Sequence, residues 1–156
     1  MKERDKSIIN KSISSINQFE EDDADQIPKK RLVAIPCYNE ERTIGSVILR
    51  AKKYADEILV VDDGSTDKTA DIAECAGATV LKHGGNKGYG SAIQSCFTYA
   101  KDLNYDVLTI LDGDGQHNPD ELLSVMKPVI EDKVDIAIGS RFLDENKSTV
   151  PLYRRL

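Results

Sequence analysis

Tryptophan is absent, cysteine occurs only three times, and no apolar run approaches the roughly 20 residues that a membrane-spanning helix requires. The cysteines, Cys37, Cys75 and Cys96, are odd in number and widely spaced. They form no zinc-site pattern and suit a reduced, intracellular protein. The first 30 residues lack the continuous apolar stretch of a secretory leader. Basic excess is also missing. Acids number 27 against 21 lysines and arginines, the net charge is -6, and the pI is about 5.0. A chain-wide nucleic-acid-binding surface is therefore not expected. What remains is 156 residues with 40% hydrophobic and 31% charged side chains, enough for one soluble domain with a real core.

Residues 1–29 differ from the rest. They mix charges of both signs, contain the acidic run Glu20 to Asp23, and end near Pro28. They read as a flexible charged leader. From Arg31 onward the periodicity alternates between short apolar runs and helical spacing. Leu32 to Ile35, Ile58 to Val61, Ala78 to Leu81, Val107 to Leu111 and Val134 to Ile138 read as five strands. Ile44, Val47, Ile48, Ala51 and Ala55 mark one helix face; Ile93, Cys96, Phe97 and Ala100 mark another; Leu122, Met126, Val129 and Ile130 a third. A further helix runs to about Ala76, with Ser65 or Thr66 as its cap and Gly77 closing it. Asn39 is expected to cap the first helix. The alternation predicts an α/β domain over residues 30–156, a mostly parallel sheet with helices on both faces. Ligands of such sheets bind beyond the carboxyl ends of the strands.

Those ends carry the polar residues. After the fourth strand come Asp112, Gly113, Asp114, Gly115 and Gln116, then Asn118 and Pro119 as a helix start. Carboxylates this close repel each other, and a hard divalent cation between them relieves the repulsion. Such an ion, magnesium or manganese, would bridge diphosphate oxygens, with Gln116 supplying a third oxygen. The bland alternative is an Asx-rich turn that caps the next helix. At the second strand, one of Asp62 and Asp63 can accept from backbone amides and the other from a nucleobase imide, unless both only cap the helix. Tyr38, an aromatic at the first strand end, can stack on a base. Pro36 fixes the local backbone. Glu40 sits where a helix N-terminus favours an acid, which explains it equally well. The loop Gly84 to Gly90 can bring backbone amides and Lys87 against a phosphate or ribose, or it is simply a tight loop. Arg141 can grip a phosphate bidentately or pair with a carboxylate. His83 and His117 have no ligand spacing and read as loop residues.

Five motifs in this order resemble family 2 glycosyltransferases of the GT-A fold: Val33 to Glu41, Val60 to Asp67, Asn86 to Gly88, Leu111 to His117, and Gly139 to Phe142. Within these the pattern is most similar to polyprenyl- or dolichyl-phosphate mannose and glucose synthases. The resemblance implies a Rossmann-like nucleotide-binding half of that fold. It implies that Asp112 and Asp114 are a DxD pair on Mg2+ or Mn2+, assisted by Gln116. Pro36, Tyr38, Glu40 and Asp63 would hold base and ribose, with Lys87 and Asp112 also on the nucleotide-sugar. Asp114 and Arg141 would serve the reaction, Arg141 on a phosphate. The donor would be UDP-glucose or GDP-mannose, and the acceptor a polyprenyl phosphate lipid. Inverting transfer would occur at the cytosolic membrane face, by a cytoplasmic, peripheral enzyme whose full-length form can carry an anchor. Members of that family continue beyond Gly-Ser-Arg, so the chain, stopping at Leu156, reads as C-terminally incomplete, with the acceptor groove mostly in the absent part.

Four other readings compete. A haloacid-dehalogenase-type phosphatase would carry its Asp pair on the first strand, not the fourth. A nucleotidyltransferase would need a glycine- and arginine-rich loop where Cys37 to Glu40 stand. A catalytically inactive nucleotide-sugar-binding fragment, or a family 2 transferase acting on a saccharide acceptor, differs from the leading reading only in turnover or acceptor.

Overall fold

The structure, a computed structural model, describes residues 29–140. Four strands, β1 (Arg31–Cys37), β2 (Glu57–Asp62), β3 (Thr79–Lys82) and β4 (Val107–Ile110), pair in parallel in the order β3-β2-β1-β4. Helices α1 (Ile44–Ala51), α2 (Thr69–Cys75), α3 (Tyr89–Asp102) and α4 (Leu122–Ile130) connect or follow them. Short 3-10 turns, Lys52–Tyr54 and Pro119–Glu121, extend α1 and precede α4. The sheet expected from the sequence is thus present.

The strands are continuous apolar runs because both faces of the sheet are covered. Val33 and Ile35 of β1 pack with Ile58 and Val60 against Ile44 and Ile48 of α1, Ala73 of α2 and Met126 of α4. Leu32, Ala34, Leu59 and Val61 face the other way, against Ala92, Cys96 and Ala100 of α3. A fully buried side chain such as Ile35 or Ile48 contributes roughly 1.5–3 kcal/mol through removal from water. Small residues on α3 let the helix lie close to the sheet.

Several local expectations are corrected. Val134 to Ile138 form no strand; Ile136 is 78% and Ile138 87% exposed. Their apolar alternation is that of a strand, but a strand needs a ladder. The chain instead leaves α4 through a turn at Asp132 (φ 53°), with Lys133 N–H donating to the Pro128 carbonyl. Phe97 lies on the solvent side of α3. Ser65 and Thr66 do not cap α2; Asp67 Oδ1 accepts the Thr69 N–H at 2.9 Å instead. Asn39 does not cap α1, which starts at Ile44; it adopts a left-handed conformation (φ 58°). Asn118 does cap its turn, accepting from Asp120 N–H.

Candidate functional site

The loops after β1 and β2 are tied to each other before they reach any ligand. Asn39 Oδ1 accepts the Thr66 N–H at 2.8 Å, and Asn39 N–H donates to Ser65 Oγ at 2.9 Å. Glu40 N–H donates to Thr69 Oγ1 at 2.7 Å, and Glu41 N–H to Asp67 Oδ2 at 3.2 Å. The polar residues of both motifs therefore serve first to fix two loops as one wall.

Beside that wall, at the carboxyl ends of β1, β2 and β4, lies a cavity of about 430 Å³. Pro36, Tyr38 and Glu40 line it from β1, Asp63 from β2, and Asp112 and Asp114 from β4. The structure so brings together six of the residues singled out in the sequence. Lys87 and Gln116 are exposed and do not line it, although the backbone N–H of each takes part in its architecture. Arg141 lies outside the described residues. Cys37, Asn86, Gly88 and Tyr89 line the cavity as well.

Four acidic residues line this space, and among the described residues no lysine, arginine or histidine does. Each acid is held differently. Asp62, the neighbour of Asp63, accepts from the Ser65 backbone N–H at 3.1 Å and from its hydroxyl. Asp63 is 3% exposed and turns to the glycine-rich loop: Gly88 N–H reaches Oδ2 at 2.7 Å and Lys87 N–H reaches both oxygens at 3.0 and 3.1 Å. His83 Nδ1 lies 2.6 Å from its Oδ1. Burial pushes the Asp63 carboxyl up, but the Lys87 amide, His83 and the Gly88 amide outweigh it, holding it below the usual carboxylate range. Glu40 Oε2 accepts from Thr43 Oγ1 at 3.2 Å.

The two acids after β4 are held by fewer bonds than Asp63. Asp112 Oδ1 accepts the Tyr89 hydroxyl at 3.1 Å, and its Oδ2 is 3.7 Å from His117 Nδ1. Asp114 Oδ1 accepts the Gln116 N–H at 2.9 Å. The Asx turn read in the sequence as the bland alternative is therefore present around Asp114, while both carboxylates still border the cavity. Their hard oxygens suit a divalent cation such as Mg2+ or Mn2+. Among the described residues, no three His, Cys, Asp or Glu side chains converge to hold a metal. Such an ion would hence draw the rest of its coordination from an anionic ligand and water.

Cys37 is no nucleophile here. Burial, then the charges of Asp62, Glu40 and Asp67, push its thiol up to about 12. Sequence reasoning missed Tyr89 and His83. Tyr89 opens α3 directly after the glycine loop, which was the available signal; His83 carried none, because its partners are 20 and 12 residues away.

Residues 32–155 match the family model described as Glycosyl transferase family 2. A UDP-N-acetylglucosamine–dolichyl-phosphate N-acetylglucosaminyltransferase of Methanococcus voltae is 31% identical over 141 residues, 78% of this chain and 56% of that protein. A polyprenol monophosphomannose synthase of Mycolicibacterium smegmatis is 37% identical over 132 residues, 79% of this chain and 49% of that protein. The chain thus spans about half the length of these relatives. Among solved structures, glucosyl-3-phosphoglycerate synthase of Mycobacterium tuberculosis, in complex with Mn2+, UDP-glucose and phosphoglyceric acid, superposes with a TM-score of 0.55. It is 28% identical and covers 65% of this chain and 39% of its own.

Proposed function

This chain belongs to glycosyl transferase family 2, and from that premise we propose that it transfers a hexose from a nucleotide-sugar to a polyprenyl phosphate, with inversion and with a divalent cation. The observation that carries this reading is the charge of the cavity. Four acidic residues and, among the described residues, no basic one line the cavity, a charge that repels a bare diphosphate. A metal–diphosphate would turn that repulsion into attraction, with Asp112 and Asp114 as the residues that would hold its ion. The named relatives support the acceptor class, since two of them bear dolichyl-phosphate or polyprenol in their names. The solved structure that carries Mn2+ and UDP-glucose supports the donor class and the ion.

In this proposal Asp112 and Asp114 would hold Mg2+ or Mn2+, with Gln116 assisting through water, and a bound ion would supply charge neutralisation for the departing diphosphate. Tyr38 stacks on the base, Asp63 shapes the base pocket by holding the Lys87 and Gly88 amides, and Pro36 and Glu40 border the ribose. Lys87 would contribute through its backbone N–H, which anchors Asp63. Arg141, outside the described residues, would meet a phosphate of donor or acceptor. An acceptor phosphate monoester has a second pKa near 6 and is largely ionised at neutral pH. One of its oxygens bonds to the anomeric carbon while the opposite bond, to the diphosphate oxygen, breaks and takes its electron pair. Little deprotonation is needed, so positioning and charge neutralisation dominate. The site of action would be the cytosolic membrane face; no helix among the described residues is long and apolar enough to cross a membrane.

The test is transfer of labelled sugar from UDP-glucose or GDP-mannose to polyprenyl phosphate in detergent micelles. Label in the lipid extract supports the reading. Sugar-nucleotide binding with no lipid-linked product would return the chain to a binding module.

A further inference from the structure

We propose that His83 is a positioning residue that, through Asp63, sets the glycine-rich wall of the nucleotide cavity; the inference rests on the reading of that cavity given above. His83 follows β3, and its backbone N–H extends the ladder onto the Asp62 carbonyl at 2.9 Å. Its imidazole is buried, with a side-chain exposure of 7%, between the end of β2 and the middle of α3. Nδ1 lies 2.6 Å from Asp63 Oδ1 and Nε2 lies 2.9 Å from Ser95 Oγ. An ionised carboxylate only accepts, so Nδ1 carries the proton. In the neutral ring Nε2 then accepts the Ser95 hydroxyl. Ser95 anchors the ring to α3, and the ring presents one N–H to Asp63.

That N–H decides the plane of the carboxylate. Asp63 accepts two consecutive amides, Lys87 on both oxygens and Gly88 on Oδ2, while His83 shares Oδ1. The loop's other bonds are local: Gly88 N–H also reaches Asn86 Oδ1 at 3.1 Å, and the Lys87 and Gly88 carbonyls accept from Ser91 and Ala92 at the start of α3. A Cβ built at Gly84, Gly85 or Gly88 would meet nothing within 4 Å, so side-chain packing does not locate these residues. Beyond its own segment and α3, the loop is anchored by the Asp63 carboxylate and a close backbone approach of Gly85 to Gly64. Asn86 and Gly88 line the cavity, so a rotation of Asp63 would move the cavity wall.

Three variants of the full chain separate positioning from mere support of the fold. The amide of His83→Asn reaches the place of Nδ1 and keeps the bond to Asp63. The amide of His83→Gln reaches the place of Nε2 and keeps only Ser95. His83→Leu keeps neither. Amide hydrogen exchange by NMR reads the loop directly, with Val60 of β2 as the internal reference. Exchange at Lys87 and Gly88, relative to Val60, should rise about tenfold or more in His83→Leu and His83→Gln, and stay within about threefold in His83→Asn. Affinity for UDP or GDP with Mg2+ should fall in the same order. Unchanged loop exchange in a folded Gln or Leu variant, or an Asn variant no better than Gln, overturns the inference. If the unsubstituted chain binds neither nucleotide, the proposed function fails, while the exchange comparison still decides the role of His83.

Discussion

The hydroxyl of Tyr89, the first residue of α3, donates to Asp112 Oδ1 at 3.1 Å and so joins the glycine loop to the acidic pair after β4. Partial loss of its water shell, then the Asp112 charge and the hydrogen bond to it, push the phenol above its ordinary value. The phenolate is an anion beside an anion. A divalent cation at Asp112 would reverse that sign and favour the phenolate. The tyrosine titration step that disappears in Tyr89→Phe should therefore move to lower pH when Mg2+ and a nucleoside diphosphate are added. An absorbance titration that leaves this step in place would argue against a cation at Asp112.

Asp63 links stability to pH. Its carboxyl is held below its ordinary value in the folded chain. It contributes stability fully above its unfolded-state pKa, about 3.9, and loses it as pH falls through the lower folded value. Asp63→Asn removes a charged acceptor from two amides and His83. The variant should be less stable by about 1–3 kcal/mol at neutral pH. Its stability should also fall less steeply below about pH 4 than that of the unsubstituted chain. Urea unfolding at a series of pH values measures both, and identical acid limbs would contradict the pairing.

Gly64 is a test of the loop contact. It has φ 77°, and a Cβ there would lie 2.5 Å from the Gly85 carbonyl carbon and 2.8 Å from the Asn86 nitrogen. Both are backbone atoms and cannot swing aside. Gly64→Ala should cost roughly 1–3 kcal/mol of stability and weaken nucleotide binding through displacement of the loop. Thermal unfolding and a nucleotide titration check it; an unperturbed loop would place the contact elsewhere.

The sheet and its helices were legible because each strand is a short apolar run and each helix repeats its apolar residues at the expected spacing. The lining of the candidate cavity was legible for the same topological reason: ligands gather at carboxyl strand ends, and Tyr38, Asp63, Asp112 and Asp114 meet there. What the pattern could not give were partners distant in sequence. Asn39 looked like a helix cap and instead bonds Thr66, 27 residues away. His83 looked like a loop residue and joins Asp63 to Ser95. Val134 to Ile138 had strand composition, but composition does not supply a ladder partner.

Calorimetry with UDP-glucose and GDP-mannose, with and without Mn2+, tests the proposed metal–diphosphate site most directly when the unsubstituted chain is compared with Asp114→Asn. One of the two donors should bind in a manganese-dependent way, and the substitution should weaken that binding by about tenfold or more, a loss of roughly 1.4 kcal/mol or greater. Equal affinity in the variant, or binding indifferent to manganese, would contradict it.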